Sequence, residues 1–177
     1  MIPLYAICNY KMKNRLSKYN INMTSNTIIN KIGKEYIEIN KCYFIKEFEQ
    51  NARYDTSNFD SRTSYECFVN SFRPNEYTEK RIHDSSITFI CSILRDWRSK
   101  IHEDVNGIFS YNFISKTYNV KIYIDRFDEP YIDTNLDGYE FECILFVSSN
   151  KSHMIGDKNK AGNSGEGIPG THYLILY

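Results

Sequence analysis

The chain has 177 residues, with 41 % hydrophobic and 25 % charged positions, a composition that describes one folded domain and argues against extended disorder. Its 22 Lys and Arg balance 22 Asp and Glu, so no overall field draws it to nucleic acid or to a membrane surface. The charges are nevertheless segregated: residues 1–50 carry eight basic against four acidic side chains, and residues 101–150 carry three against nine.

Taken in chain order, IPLYAICNY reads as a first strand. Residues Lys11 to Lys34 read as a broken helix, with Met12, Leu16 and Tyr19 on one face and Ile28, Ile29 and Ile32 on the next. Thr24 or Ser25 is expected to cap its second piece, and Gly33 to end it. EYIEINKCYFIKEF alternates about Asn40-Lys41 and predicts a hairpin. NARYDTSNFDSRTS is a polar loop in this reading, and YECFVNSF, rich in β-type residues, a strand stopped by Arg73-Pro74-Asn75.

A long amphipathic helix is expected from about Thr78 to Asp104, because Ile82, Phe89, Ile90, Ile93, Trp97 and Ile101 recur at three- and four-residue spacing. Gly107 stands where a helix terminator would. His83 and His102, on that helix, are expected to face solvent or cap its end. Four more strands follow in GIFSYNFIS, YNVKIYIDRF, YEFECILFVSS and THYLILY. The order gives an α+β fold in one domain over residues 1–177: a largely antiparallel sheet carrying the long helix and the N-terminal helices.

Three motifs bear on function. Gly165-x-Gly167-x-x-Gly170 has the spacing of a dinucleotide-binding turn, but a β-type run follows it where the chemistry needs a helix N-terminus. It is read as part of a long loop over residues 148–170, made mildly basic by Lys151, His153, Lys158 and Lys160. Asp133-x-Asn135-x-Asp137-Gly138 matches half a calcium loop, with Ile144 where the bidentate acid belongs; no metal or other cofactor is expected. The third feature is the acidic run of Asp125, Asp128, Glu129, Asp133, Asp137, Glu140 and Glu142, with Arg126 as its single opposing charge. Several of these carboxylates should share a face. The first six form the candidate surface for a protein partner, since opposed charge speeds encounter and discriminates partners.

Five dispersed cysteines, Cys8, Cys42, Cys67, Cys91 and Cys143, form no CxxC pair and read as small hydrophobes in a reduced, cytoplasmic protein. A Cys143–His172 pair on neighbouring terminal strands is a conceivable nucleophile arrangement, but Cys143 lies in an acidic, apolar stretch where a thiolate is disfavoured. No stretch is long and apolar enough to span a bilayer. Lys11, Lys13, Arg15 and Lys18 read as a solvated helix face, so no nucleic-acid partner is expected.

The function this favours is non-enzymatic protein binding, of the immunity or antitoxin kind, in which the acidic surface neutralises a basic toxin such as a nuclease by stoichiometric contact. A small hydrolase or transferase with the 148–170 loop as lid, and His153 or His172 as acid or base, is the alternative. A viral or structural interaction protein is a third.

Overall fold

The computed structural model describes residues 2–18, 26–53, 56–132, 135–154 and 172–176, the last five as backbone. Residues 24 and 25, the glycine motif and Asp133 lie outside the described residues, as do the side chains at positions 153 and 172.

Strand β1 (Leu4–Cys8) leads into helix α1 (Tyr10–Leu16) through Asn9, which is buried yet has every polar atom engaged. Its Oδ1 accepts from the Met12 and Ile144 amides, and its Nδ2 donates to the Leu136 and Glu142 carbonyls. One side chain thus caps a helix and fastens two distant segments. Helix α2 (Thr27–Ile32) starts at Asn26 and ends at Gly33, whose φ of 79° suits a residue without Cβ.

Strands β2 (Tyr36–Ile39) and β3 (Cys42–Ile45) form the expected hairpin. Asn40 and Lys41 both have positive φ, 53° and 61°, the backbone of a two-residue turn that follows strand twist.

The polar stretch and the strand expected after it come out differently. Residues 46–53 and 56–58 form 3-10 turns, and helix α3 (Arg62–Val69) replaces most of the predicted strand. Ser61 caps α3 by accepting from the Ser64 amide. Helical spacing puts Tyr65 and Val69 on one buried row and Glu66 beside them. Tertiary contacts here outweigh the β preference of Tyr, Cys, Phe and Val. Only Ser71–Phe72 remain extended, as β4.

Helix α4 (Ile82–Ile101) lies within the predicted span and is shorter at both ends. His102, with φ of 58°, supplies the left-handed terminator. Gly107 is therefore not a cap. It sits inside β5 (Val105–Asn112), where a Cβ would come within 2.5 Å of Ile90 Cγ2 on α4. His83 is buried rather than solvent-facing.

Strands β6 (Thr117–Ile124), β7 (Glu142–Ser148) and β8 (His172–Leu176) complete a six-stranded sheet in the order β4-β6-β5-β7-β1-β8, antiparallel throughout. The fold is the α+β architecture expected. Side chains alternate across the pleat. Leu4, Ala6, Phe109, Val120, Ile122, Leu145 and Val147 join the large core with α4 and the hairpin. Ile7, Ile108, Tyr123, Ile144 and Phe146 point to the other face. The chain between β6 and β7 crosses that second face, and Leu136, Tyr131, Ile132 and Tyr139 pack onto it.

Candidate partner-binding surface

The described members of the acidic run fall into two groups. The run leaves β6 beside Val105, where Ile124 pairs, and enters β7 beside Asn112, where Glu142 pairs. Those ends of β5 are separated by seven residue steps, roughly 23 Å at about 3.3 Å per step. Asp125, Asp128 and Glu129 stand at one end; Asp137 and Glu140 stand at the other. Asp137 Oδ1 accepts from the Tyr10 amide, and Glu140 is exposed.

The first group is built around a turn. Glu129 N–H donates to the Arg126 carbonyl at 3.1 Å, leaving Phe127 and Asp128 at the tip. Both ends of the turn are anchored. The Arg126 guanidinium grips both carboxylate oxygens of Glu66, at 2.7 and 3.0 Å, and donates to the Lys41 carbonyl and Thr63 Oγ1. Glu66 is wholly buried, and its oxygens also accept from the Tyr43 and Ile124 amides. Burial pushes the Glu66 pKa above its ordinary value, with Arg126 and the two amides opposing that rise.

At the other end, Glu129 accepts from the Thr63 amide and hydroxyl and from Arg62 Nε at the start of α3. Partial burial alone would raise its pKa; the Thr63 and Arg62 bonds outweigh this and hold it below the usual value. A carboxylate there also meets the positive end of the helix dipole. Arg126, read from sequence as the neutralising charge within the acidic run, is instead committed to Glu66.

With both flanks fixed, Phe127 projects fully into solvent, at 104 % relative exposure, and Asp128 beside it is exposed. Charge counting along this run carries no signal for Phe127. The available signal was an aromatic set in Asp125-Arg126-Phe127-Asp128-Glu129, with no apolar periodicity to bury it.

Behind the turn lies a recess of about 370 Å³. Its walls include Tyr123, Tyr131, Ile132 and Phe146, with Asp125, Glu129 and Phe127 at the rim. Asn106 forms part of the floor. Asn150 Nδ2 donates to Asp125 Oδ2 at 3.1 Å.

The other polar constellation is at the far end of β5. Arg15 Nε donates to His83 Nε2 at 3.1 Å, and its guanidinium also reaches the Tyr118 hydroxyl and lies 3.9 Å above the Tyr111 ring. The His83 pKa falls from 6.5 to about 4, mainly through burial and further through the Arg15 charge, with Asp84 partly opposing both. Arg15 is thus turned inward from the basic face on which the sequence placed it.

The five cysteines are buried. Burial pushes Cys8, Cys42 and Cys91 up to about 11, which keeps their thiols protonated and poorly nucleophilic at neutral pH. Cys143 and His172 are not on adjacent strands, because β1 lies between β7 and β8, and His172 registers with Cys8. Asn135 to Gly138 form a 3-10 turn, and among the described residues no group of three or more His, Cys, Asp or Glu is arranged for a metal ion. After Gly170 the chain continues as β8, antiparallel to β1, so no helix follows the glycine motif. No helix among the described residues is long and apolar enough to cross a membrane.

These features define an α+β protein with a rigidly anchored aromatic–acidic turn at one end of an antiparallel sheet. The chain belongs to the uncharacterized protein PM0498 family, whose family model matches residues 7–160. No curated protein and no solved structure matches it significantly.

Proposed function

We propose that the protein is a cytoplasmic, non-enzymatic binding protein of the immunity or antitoxin kind, which neutralises a basic toxin domain by stoichiometric contact through the 125–129 turn. One observation carries this reading: Phe127 is fully exposed on a turn whose two flanking residues are anchored by seven hydrogen bonds. Folding gains nothing from displaying a phenylalanine in water, whereas a pre-ordered aromatic loses little entropy when a partner covers it. Asp128 and Asp125 give the surface the sign that attracts a basic partner.

The test is co-expression and purification with a basic toxin domain encoded next to this gene. A one-to-one complex is expected, with Phe127→Ala weakening it at least tenfold while the melting temperature of the free protein stays within about 2 °C. An unchanged affinity in Phe127→Ala would remove the turn from the interface and this reading with it.

A further inference from the structure

The recess behind the turn has an unexplained feature on its floor. Asn106 is only 2 % exposed, yet its Oδ1 has no hydrogen-bond partner among the described residues. The same side chain meets the hydroxyl of Tyr123, its cross-strand partner. A buried amide oxygen left unpaired is costly, by about 1–3 kcal/mol, unless something else donates to it. Its surroundings favour a cationic donor. Tyr131 and Phe146 give the recess aromatic walls, and Asp125 contributes a carboxylate to its lining, while the neighbouring Glu129 carboxylate is taken up by Arg62 and Thr63. Arg126, the one basic residue among the described residues of the lining, has its charge matched by Glu66, and the nearby Lys121 ammonium is held on the Tyr131 hydroxyl.

We infer that this recess is a receptor for an arginine side chain carried by the protein partner, its guanidinium donating to Asn106 Oδ1 and to the Asp125 carboxylate while stacking on Tyr131. The inference rests on the reading of the 125–129 turn as the partner-facing surface. Guanidinium is favoured over ammonium for two physical reasons. Its planar fork supplies several N–H donors at once, and it sheds water more easily when it stacks on an aromatic face. The recess volume of about 370 Å³ falls within the range of pockets that enclose a ligand.

Titration of the intact protein with N-acetyl-arginine methylamide, followed by amide NMR, tests this directly, with the lysine counterpart as control. Saturable shifts are expected at the Asn106 side-chain amide and at its neighbours in β5, with lysine bound at least fivefold more weakly. Asn106→Leu should weaken the arginine probe at least tenfold. Tyr131→Leu, a half-buried position on the crossing segment, should weaken it severalfold even if the strand substitution disturbs folding. Shifts that do not saturate, an equal response to lysine, or binding indifferent to both substitutions would overturn the inference.

Asp128→Lys separates this from the wider reading, since Asp128 lies outside the recess lining. If the probe binds normally but Asp128→Lys and Phe127→Ala leave toxin association unchanged, the arginine site stands and the immunity reading falls. If association collapses in both variants while the probe never binds, the reverse holds.

Discussion

Gly107 marks the closest approach of α4 to the sheet. A methyl group there would meet Ile90 Cγ2 at 2.5 Å, Leu94 Cδ1 at 3.2 Å and Ile122 Cδ1 at 3.3 Å, all in the core. Gly107→Ala should therefore destabilise the protein by about 1–3 kcal/mol, as overpacking does, measurable by urea denaturation. His83 makes a different prediction. Its folded-state pKa of about 4 lies below the ordinary 6.5, so the unfolded chain binds the extra proton first. The His83 contribution is complete above about pH 6.5 and is lost as pH falls toward 4, by on the order of 3 kcal/mol in all. Most carboxylates titrate below about 5, and Glu66, whose pKa is raised, acts in the opposite sense, so the fall between pH 6.5 and 5 reports chiefly on His83. His83→Gln should flatten that limb in a pH series of unfolding free energies. Neither role was legible beforehand. Glycine two residues into a strand looks the same in sequence as a glycine ending a helix, and a histidine pattern says nothing of Arg15 lying above Tyr111.

Regular elements with a strong local signal were readable, and those held by tertiary contacts were not. The β2–β3 hairpin followed from alternation about Asn40-Lys41, and α4 followed from its apolar period. Helix α3 was missed because its reason for being helical is a buried carboxylate. Glu66 must reach the Tyr43 amide on β3, the Ile124 amide on β6 and the Arg126 guanidinium together. Asn70 completes the joint, accepting from the Ile45 amide and donating to the Tyr43 and Ile122 carbonyls. Arg126→Met should cost about 3–5 kcal/mol, since it strands Glu66 without its counter-charge, whereas Glu66→Met with Arg126→Met should recover part of that loss. Thermal unfolding of the three proteins measures both. A double variant no more stable than the single one would show that the backbone bonds to Glu66, not the ion pair, hold the joint.

At the scale of the whole molecule, the acidic run proves to be two clusters separated by the length of the sheet. Composition counted those charges correctly, but the crossing of residues 125–132 and 135–141 over the second face of the sheet, which separates them, depends on the strand order. The division makes a discriminating forecast: Asp128→Lys should slow association with a basic toxin severalfold at low salt, and Glu140→Lys at the far end should change it by less than twofold. Stopped-flow mixing at two ionic strengths decides it; equal slowing by both would mean that overall charge, not the turn, steers encounter. The same strand order governs how the chain is born. Cys8 must wait for Leu145, and Leu4 for Leu176. At about 5–20 residues per second on a ribosome, the first strand spends roughly ten seconds without either neighbour. During that interval a nascent chain displays Leu4-Tyr5-Ala6-Ile7-Cys8 as bare β-edge. Synthesis of this protein is thus a period of exposure in which a chaperone, or an early-folding remainder of the chain, has to stand guard over five apolar residues.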